Sequence, residues 1–127
     1  MTIAFWTILA AIALPWLMAA LKKSPLAVSG KYSNRAPRAM QSKLEGLSQR
    51  AHWAEQNSFE ILPAFVAAVL VAHLAGAEQM LIDQLAIGFI VSRVLYSICY
   101  LTDWATLRSL VWTAGLMFIV GLFVISA

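Results

Sequence analysis

Charged side chains are nearly missing from four long stretches of this sequence. Over the whole chain only 12% of residues are charged while 61% are hydrophobic, against a soluble norm of roughly a quarter charged and half apolar. That scarcity excludes a soluble globular domain and requires an integral membrane protein. In 127 residues, at about 20 apolar residues per crossing, no more than four or five spans fit. Cysteine is scarcer still. Cys99 stands alone in an apolar span, so there is no intrachain disulfide and no thiol metal site, and it reads as a small buried hydrophobe. Neither His52 nor His73 is read as a metal ligand, and no metal is expected. Acidic residues are missing from the first span, which argues against a small four-helix multidrug exporter.

The charges that are present are placed unevenly. Lys22, Lys23, Lys31, Arg35, Arg38, Lys43 and Arg50 crowd one connection, seven of the nine basic residues. This is a positive-inside loop lying near anionic lipid, and it removes the need to invoke nucleic acid for the formal charge of +3.

The spans fall at about 3–21, 46–76, 81–101 and 107–125, one domain over 1–127, with a basic cytoplasmic loop at 22–45. The first carries Pro15, which a membrane helix tolerates as a kink. It lacks the basic start and the cleavage site of a signal peptide, and is read as a retained helix. Pro25, Gly30, Asn34 and Pro37 break the first loop into turns. The second helix, polar in its first turns, outruns the hydrocarbon and projects into water. Gly76 to Asp83 is a short acidic turn, and Thr102, Asp103 and Trp104 form a tight one. The fold class is therefore all-α, an integral membrane four-helix bundle, with no internal repeat. Loop charge places both termini away from the cytoplasm, with Trp53, Trp104 and Trp112 near the cytoplasmic ends and Trp6 near the other.

Two polar stripes interrupt the apolar helices. At about 100° per residue, Arg93, Tyr96 and Tyr100 share an arc of about 60°, and Arg50, Trp53, Asn57 and Glu60 one of about 80°. Lipid offers such stripes no hydrogen-bond partners, so they face the bundle interior, a subunit interface or a wet cleft. One reading is a structural ion pair, Glu60 with Arg93, that sets helix register. The other is a site for a small zwitterionic or anionic ligand, with arginines for carboxylates, Glu60 for an ammonium, and Asn57 and the phenols for amides. Arg108, at the head of the fourth helix, is either a snorkelling anchor or a cation that lowers a thiol pKa. His52 reads as an exposed interfacial residue, and His73 as a cap or anchor for the end of the second helix.

These residues resemble the MAPEG family, the membrane-associated proteins in eicosanoid and glutathione metabolism, and in particular small bacterial members similar to microsomal glutathione transferases. Arg50-Ala51-His52-Trp53-Ala54-Glu55-Gln56-Asn57-Ser58-Phe59-Glu60-Ile61-Leu62-Pro63 carries Asn57, Glu60 and Pro63 at the spacing of the family's second-helix signature. Arg93-Val94-Leu95-Tyr96-Ser97-Ile98-Cys99-Tyr100, followed by Arg108, is similar to the third-helix motif and the arginine that opens the fourth helix. Asn-Arg-Ala-Pro-Arg at 34–38 looks like bacterial relatives.

The resemblance implies a homotrimer in a bacterial inner membrane, with glutathione as co-substrate bound between neighbouring subunits. The reaction it implies is transfer of the glutathione thiol to lipophilic electrophiles, or a peroxidase-like one. By position, Arg50, Asn57, Glu60, Tyr96 and Tyr100, with Arg38, are implied to contact glutathione, Arg93 to brace the site by pairing with Glu60, and Arg108 to activate the thiol. Trp53 stands where the glutathione-using members carry an arginine, which leaves Arg50, about one turn earlier, as the residue to reach in. The alternative the resemblance also implies is a non-catalytic lipid-binding or scaffold protein.

Overall fold

A computed structural model of the chain describes residues 1–25, 27 and 32–127. Gly30 and Lys31 of the basic loop lie outside the described residues. Helix α1 spans Ile3–Lys23, α2 Pro37–Met40, α3 Gly46–Leu74, α4 Gln79–Leu101 and α5 Ala105–Val124, with a 3-10 turn at Gln41–Lys43 between α2 and α3. All but α2 are long and apolar enough to cross a membrane, which makes the chain a multi-pass integral membrane protein.

Local chemistry sets the helix ends. The Thr2 side chain accepts from the Phe5 amide at 3.3 Å and opens α1. Pro15 lies inside α1, which continues past it without interruption. Pro37 starts the short α2, a position where its missing amide costs nothing. At 29 residues and about 1.5 Å per residue, α3 is longer than the roughly 30 Å hydrocarbon, so its polar beginning stands clear of the apolar layer. It stops at Gly76, whose φ of 75° lets the Ala77 amide reach back to the Ala72 carbonyl at 3.1 Å. The same device closes α4, but with Asp103 at φ 61° in the left-handed position and the Trp104 amide on the Cys99 carbonyl at 2.8 Å.

Helix α4 begins at Gln79, two residues before the apolar run suggested, so Asp83 belongs to the helix and not to the preceding turn. Its carboxylate accepts from the Ala4 amide of α1 at 2.8 Å. An anion at a helix N-terminus satisfies a backbone donor that has no partner within its own helix.

Helix α1 packs chiefly on α3, and α4 on α5, with α3 and α4 joining the two pairs. Small side chains line the seams: Ala51, Ala54, Ala68, Ala72 and Ala86 are fully buried, allowing the close approach that membrane helices use in place of a hydrophobic driving force. Phe65 and Phe89 stack across α3 and α4, ring centres 4.0 Å apart. Gly88 leaves room for the Phe118 ring, which stands 2.5 Å from where a Cβ would lie.

At the basic end of the bundle, Lys22 of α1 is buried. It forms an ion pair with Glu55 of α3 and meets His52 Nδ1 at 3.3 Å. His52 is thus buried, not the exposed interfacial residue expected, because the end of α1 lies against its side of α3. His73 is exposed, its ring edge-on to Phe5 at 4.8 Å, and so contributes a contact to α1 at the end of α3.

Candidate functional site

Arg93, in the last turns of α4, is buried at 2% exposure, although no carboxylate pairs with it among the described residues. Its Nη2 donates to the Asn57 amide oxygen at 2.8 Å and to Ser58 Oγ at 3.4 Å. The guanidinium lies 4.1 Å from the centre of the Tyr96 ring, whose negative face offers a further partner for the cation. Asn57 Nδ2 in turn points to Glu60 Oε2 at 3.4 Å. The direct Glu60–Arg93 pair expected from the stripes is therefore not formed. Asn57, one turn before Glu60 on the same face of α3, stands between them and serves both, while Glu60 is exposed on the single chain.

The contacts continue toward α5. Tyr96 and Tyr100 meet edge to face at 5.5 Å, as positions four apart on a helix do. Arg108 stacks over the Tyr100 ring at 4.3 Å. The tight turn at 102–104 makes this possible by bringing the first helical turn of α5 back against the end of α4. An unbroken line of contacts thus runs Glu60, Asn57, Arg93, Tyr96, Tyr100, Arg108, across three helices.

Arg50 and Arg38 stand apart from that line. Arg50 Nε donates to the Leu101 carbonyl at 3.1 Å, satisfying one of the end carbonyls of α4. Arg38 is exposed on α2 and makes no hydrogen bond or ion pair to the other candidates among the described residues. Trp53 lies 6.1 Å from Tyr100, ring centre to ring centre, so an indole occupies the flank of the site.

An open cleft of about 380 Å³ lies beside this line, bounded by Tyr96, Arg108, Ser109, Trp112 and Thr113. Trp112, expected in an interfacial belt, lines this cleft together with Ser109 and Thr113, which carry no motif in the sequence. Their spacing of one, four and five residues from Arg108 was the available signal, since it places them on neighbouring faces of α5. The Ser109 and Thr113 hydroxyls donate to the Ala105 and Ser109 carbonyls, which leaves their oxygens free to accept. Chemically, the cleft offers a cation, a phenol and an indole. Among the described residues no three His, Cys, Asp or Glu side chains come together as a metal site.

A family model described as MAPEG family matches residues 3–127. The chain belongs to the MAPEG family. No curated protein and no solved structure matches it. The match covers nearly the whole chain, and the membrane-spanning four-helix bundle is that of a MAPEG protein.

Proposed function

We propose that this MAPEG protein is a membrane-bound glutathione-dependent transferase, or peroxidase-like enzyme, acting on lipophilic electrophiles. The observation that carries the reading is Arg108, stacked on Tyr100 at the wall of an open cleft. A cation held there lowers the pKa of a thiol bound beside it and keeps the thiolate ready for attack. In the transfer reaction the thiolate forms a carbon–sulfur bond and the electrophile loses its leaving group or opens its strained ring. The thiol proton passes to solvent.

Asn57, Glu60, Tyr96 and Tyr100 hold the tripeptide in this reading, Glu60 taking the ammonium and Asn57 and the phenols the amides. Arg38 and Arg50 supply cations for its carboxylates by swinging in from the basic end. Arg93 acts through Asn57, whose amide it orients. The electrophile arrives from the bilayer and the peptide from water, so the cleft brings together reactants that otherwise occupy different phases.

The same reading assembles three chains. Glu60 is exposed on one chain within a span, where lipid would leave a carboxylate without partners, and a neighbouring subunit covering it removes that cost. It also places the chain in a bacterial inner membrane, the basic end cytoplasmic and both termini on the far side.

Titrating glutathione with purified protein while following thiolate ultraviolet absorbance tests the mechanism. The wild type is expected to form more thiolate than free glutathione at the same pH, and Arg108→Ala to lose the excess. Absence of any excess in the wild type would sink the proposal.

A second reading, a non-catalytic lipid-binding or scaffold protein, draws support from Trp53 against Tyr100 and from Arg50 engaged on the Leu101 carbonyl. Both reduce the cationic character of the flank that would meet a carboxylate. Retention of detergent-solubilised protein on glutathione-agarose separates the two readings, since the scaffold reading requires none.

A further inference from the structure

Among the described residues the Arg108 guanidinium makes no hydrogen bond and no ion pair, and its partner is the ring of Tyr100, 4.3 Å away. An arginine is long and rich in rotamers, so its place is only as definite as that of the ring it lies on. The Tyr100 hydroxyl has no protein partner among the described residues either, which leaves the ring to be held by what packs against it. Two aromatic side chains do so. Tyr96, on the same helix, meets it edge to face at 5.5 Å, and Trp53 of α3 meets it at 6.1 Å with the planes tilted by 47°. Both separations lie in the range of favourable aromatic pairs.

Trp53 differs from Tyr96 in where it comes from. Tyr96 and Tyr100 move together with α4, whereas Trp53 refers the ring to α3, the helix that carries Asn57 and Glu60. Arg50, three residues earlier on that side of α3, donates to the Leu101 carbonyl at 3.1 Å. The opening turns of α3 thus grip the end of α4 twice, once at its backbone and once at its last aromatic ring. When Arg50 swings toward a ligand carboxylate the backbone grip is released, and the ring contact remains.

The geometry points to Trp53 as a positioning residue for the thiolate step: it fixes the Tyr100 ring, and through the ring it places Arg108 relative to Asn57 and Glu60. This inference rests on the transferase reading of the cleft. It gives the indole a duty of its own at the position where the family resemblance leads one to expect an arginine.

The test follows the Arg108 Nε–H resonance of arginine-labelled protein in detergent micelles, assigned by its loss in Arg108→Lys and displaced upfield by the ring beneath it. Trp53→Ala is expected to remove much of that displacement, and Trp53→Phe, which keeps a ring there, to remove little. Because the indole has a ring current of its own, the same substitution is made in Tyr100→Leu, where it is expected to have no effect. No movement in the otherwise wild-type chain, or equal movement in both backgrounds, overturns the proposal. Where the alanine variant fails to fold, Trp53→Leu makes the same comparison.

Glutathione then separates the brace from the reaction. In Trp53→Ala the midpoint of thiolate absorbance is expected about half a pH unit higher than in the wild type, with retention on glutathione-agarose kept. An unmoved midpoint in a protein that does form excess thiolate overturns the role of Trp53 in the reaction. A resonance that responds to Trp53 in a protein that forms no excess overturns the transferase reading while the brace stands.

Discussion

The Arg93 guanidinium on α4 donates to the Asn57 amide oxygen on α3 at 2.8 Å, and the nitrogen of that amide is turned toward Glu60. The two ends of one side chain thus have separate duties, one toward the fold and one toward the site. Asn57→Ala should lower stability by about 2 kcal/mol, the scale of a hydrogen bond to a charged group. Asn57→Asp should retain stability, because it still accepts from Arg93, yet lose retention on glutathione-agarose, because it repels Glu60 in place of donating to it. Thermal unfolding in detergent and column retention read the two effects apart.

Arg108 depends on Tyr100 for its position through the ring face and not through the hydroxyl. Tyr100→Phe should therefore preserve the thiolate excess at Arg108, while Tyr100→Leu should reduce it. A partly exposed cation–π contact is worth about 0.5–1 kcal/mol, so roughly a two- to fivefold loss in apparent glutathione affinity is expected for leucine relative to phenylalanine. Equal behaviour of the two variants would show that the ring does not hold the arginine.

At the basic end, buried Lys22 pairs with Glu55, which is partly buried and also lies 3.4 Å from His52 Nδ1. Removing the lysine leaves the carboxylate without its cation, so Lys22→Met should destabilise by about 1–3 kcal/mol. The double variant Lys22→Met, Glu55→Met should recover much of that loss, since replacing both charges by apolar groups removes the desolvation cost. Melting temperatures of the single and double variants provide the cycle, and a double variant no better than the single would refute the pairing.

Gly88 tests the α4–α5 seam. An added Cβ would lie 2.5 Å from the Phe118 ring, so Gly88→Ala must displace that ring and is expected to cost about 1–3 kcal/mol. Pairing it with Phe118→Leu should restore part of the loss. If Gly88→Ala alone is neutral in thermal unfolding, the seam is looser than described.

The four spans were legible because their signal is additive: a helix of some 20 residues declares itself through composition, whatever it packs against. Helix ends were read less closely. Gln79 and Asp83 belong to α4, yet they look polar in a linear reading, since the partner that makes Asp83 acceptable there is the Ala4 amide 79 residues away. Periodicity likewise placed Asn57 and Glu60 on one stripe and Arg93 and Tyr96 on another. It could not say which member of the first stripe reaches the second, a question of helix rotation and axial offset, and the structure answers it with Asn57. His52 shows the same limit from the other side. Its burial comes from the end of α1, and no local pattern in α3 announces that neighbour.

Asp103 holds its left-handed turn with only 102–104 between α4 and α5. A hairpin this short has no slack, so the cation of Arg108 and the ring of Tyr100 are spaced by the backbone itself. Each residue inserted into α5 ahead of Arg108 would advance the arginine by about 1.5 Å and rotate it by about 100°, carrying it off the ring altogether. Change in what the cleft accepts is therefore confined to side-chain exchange on a fixed frame, with Ser109, Trp112 and Thr113 as the positions free to vary, and lengthening of the hairpin closed off as a route to new chemistry.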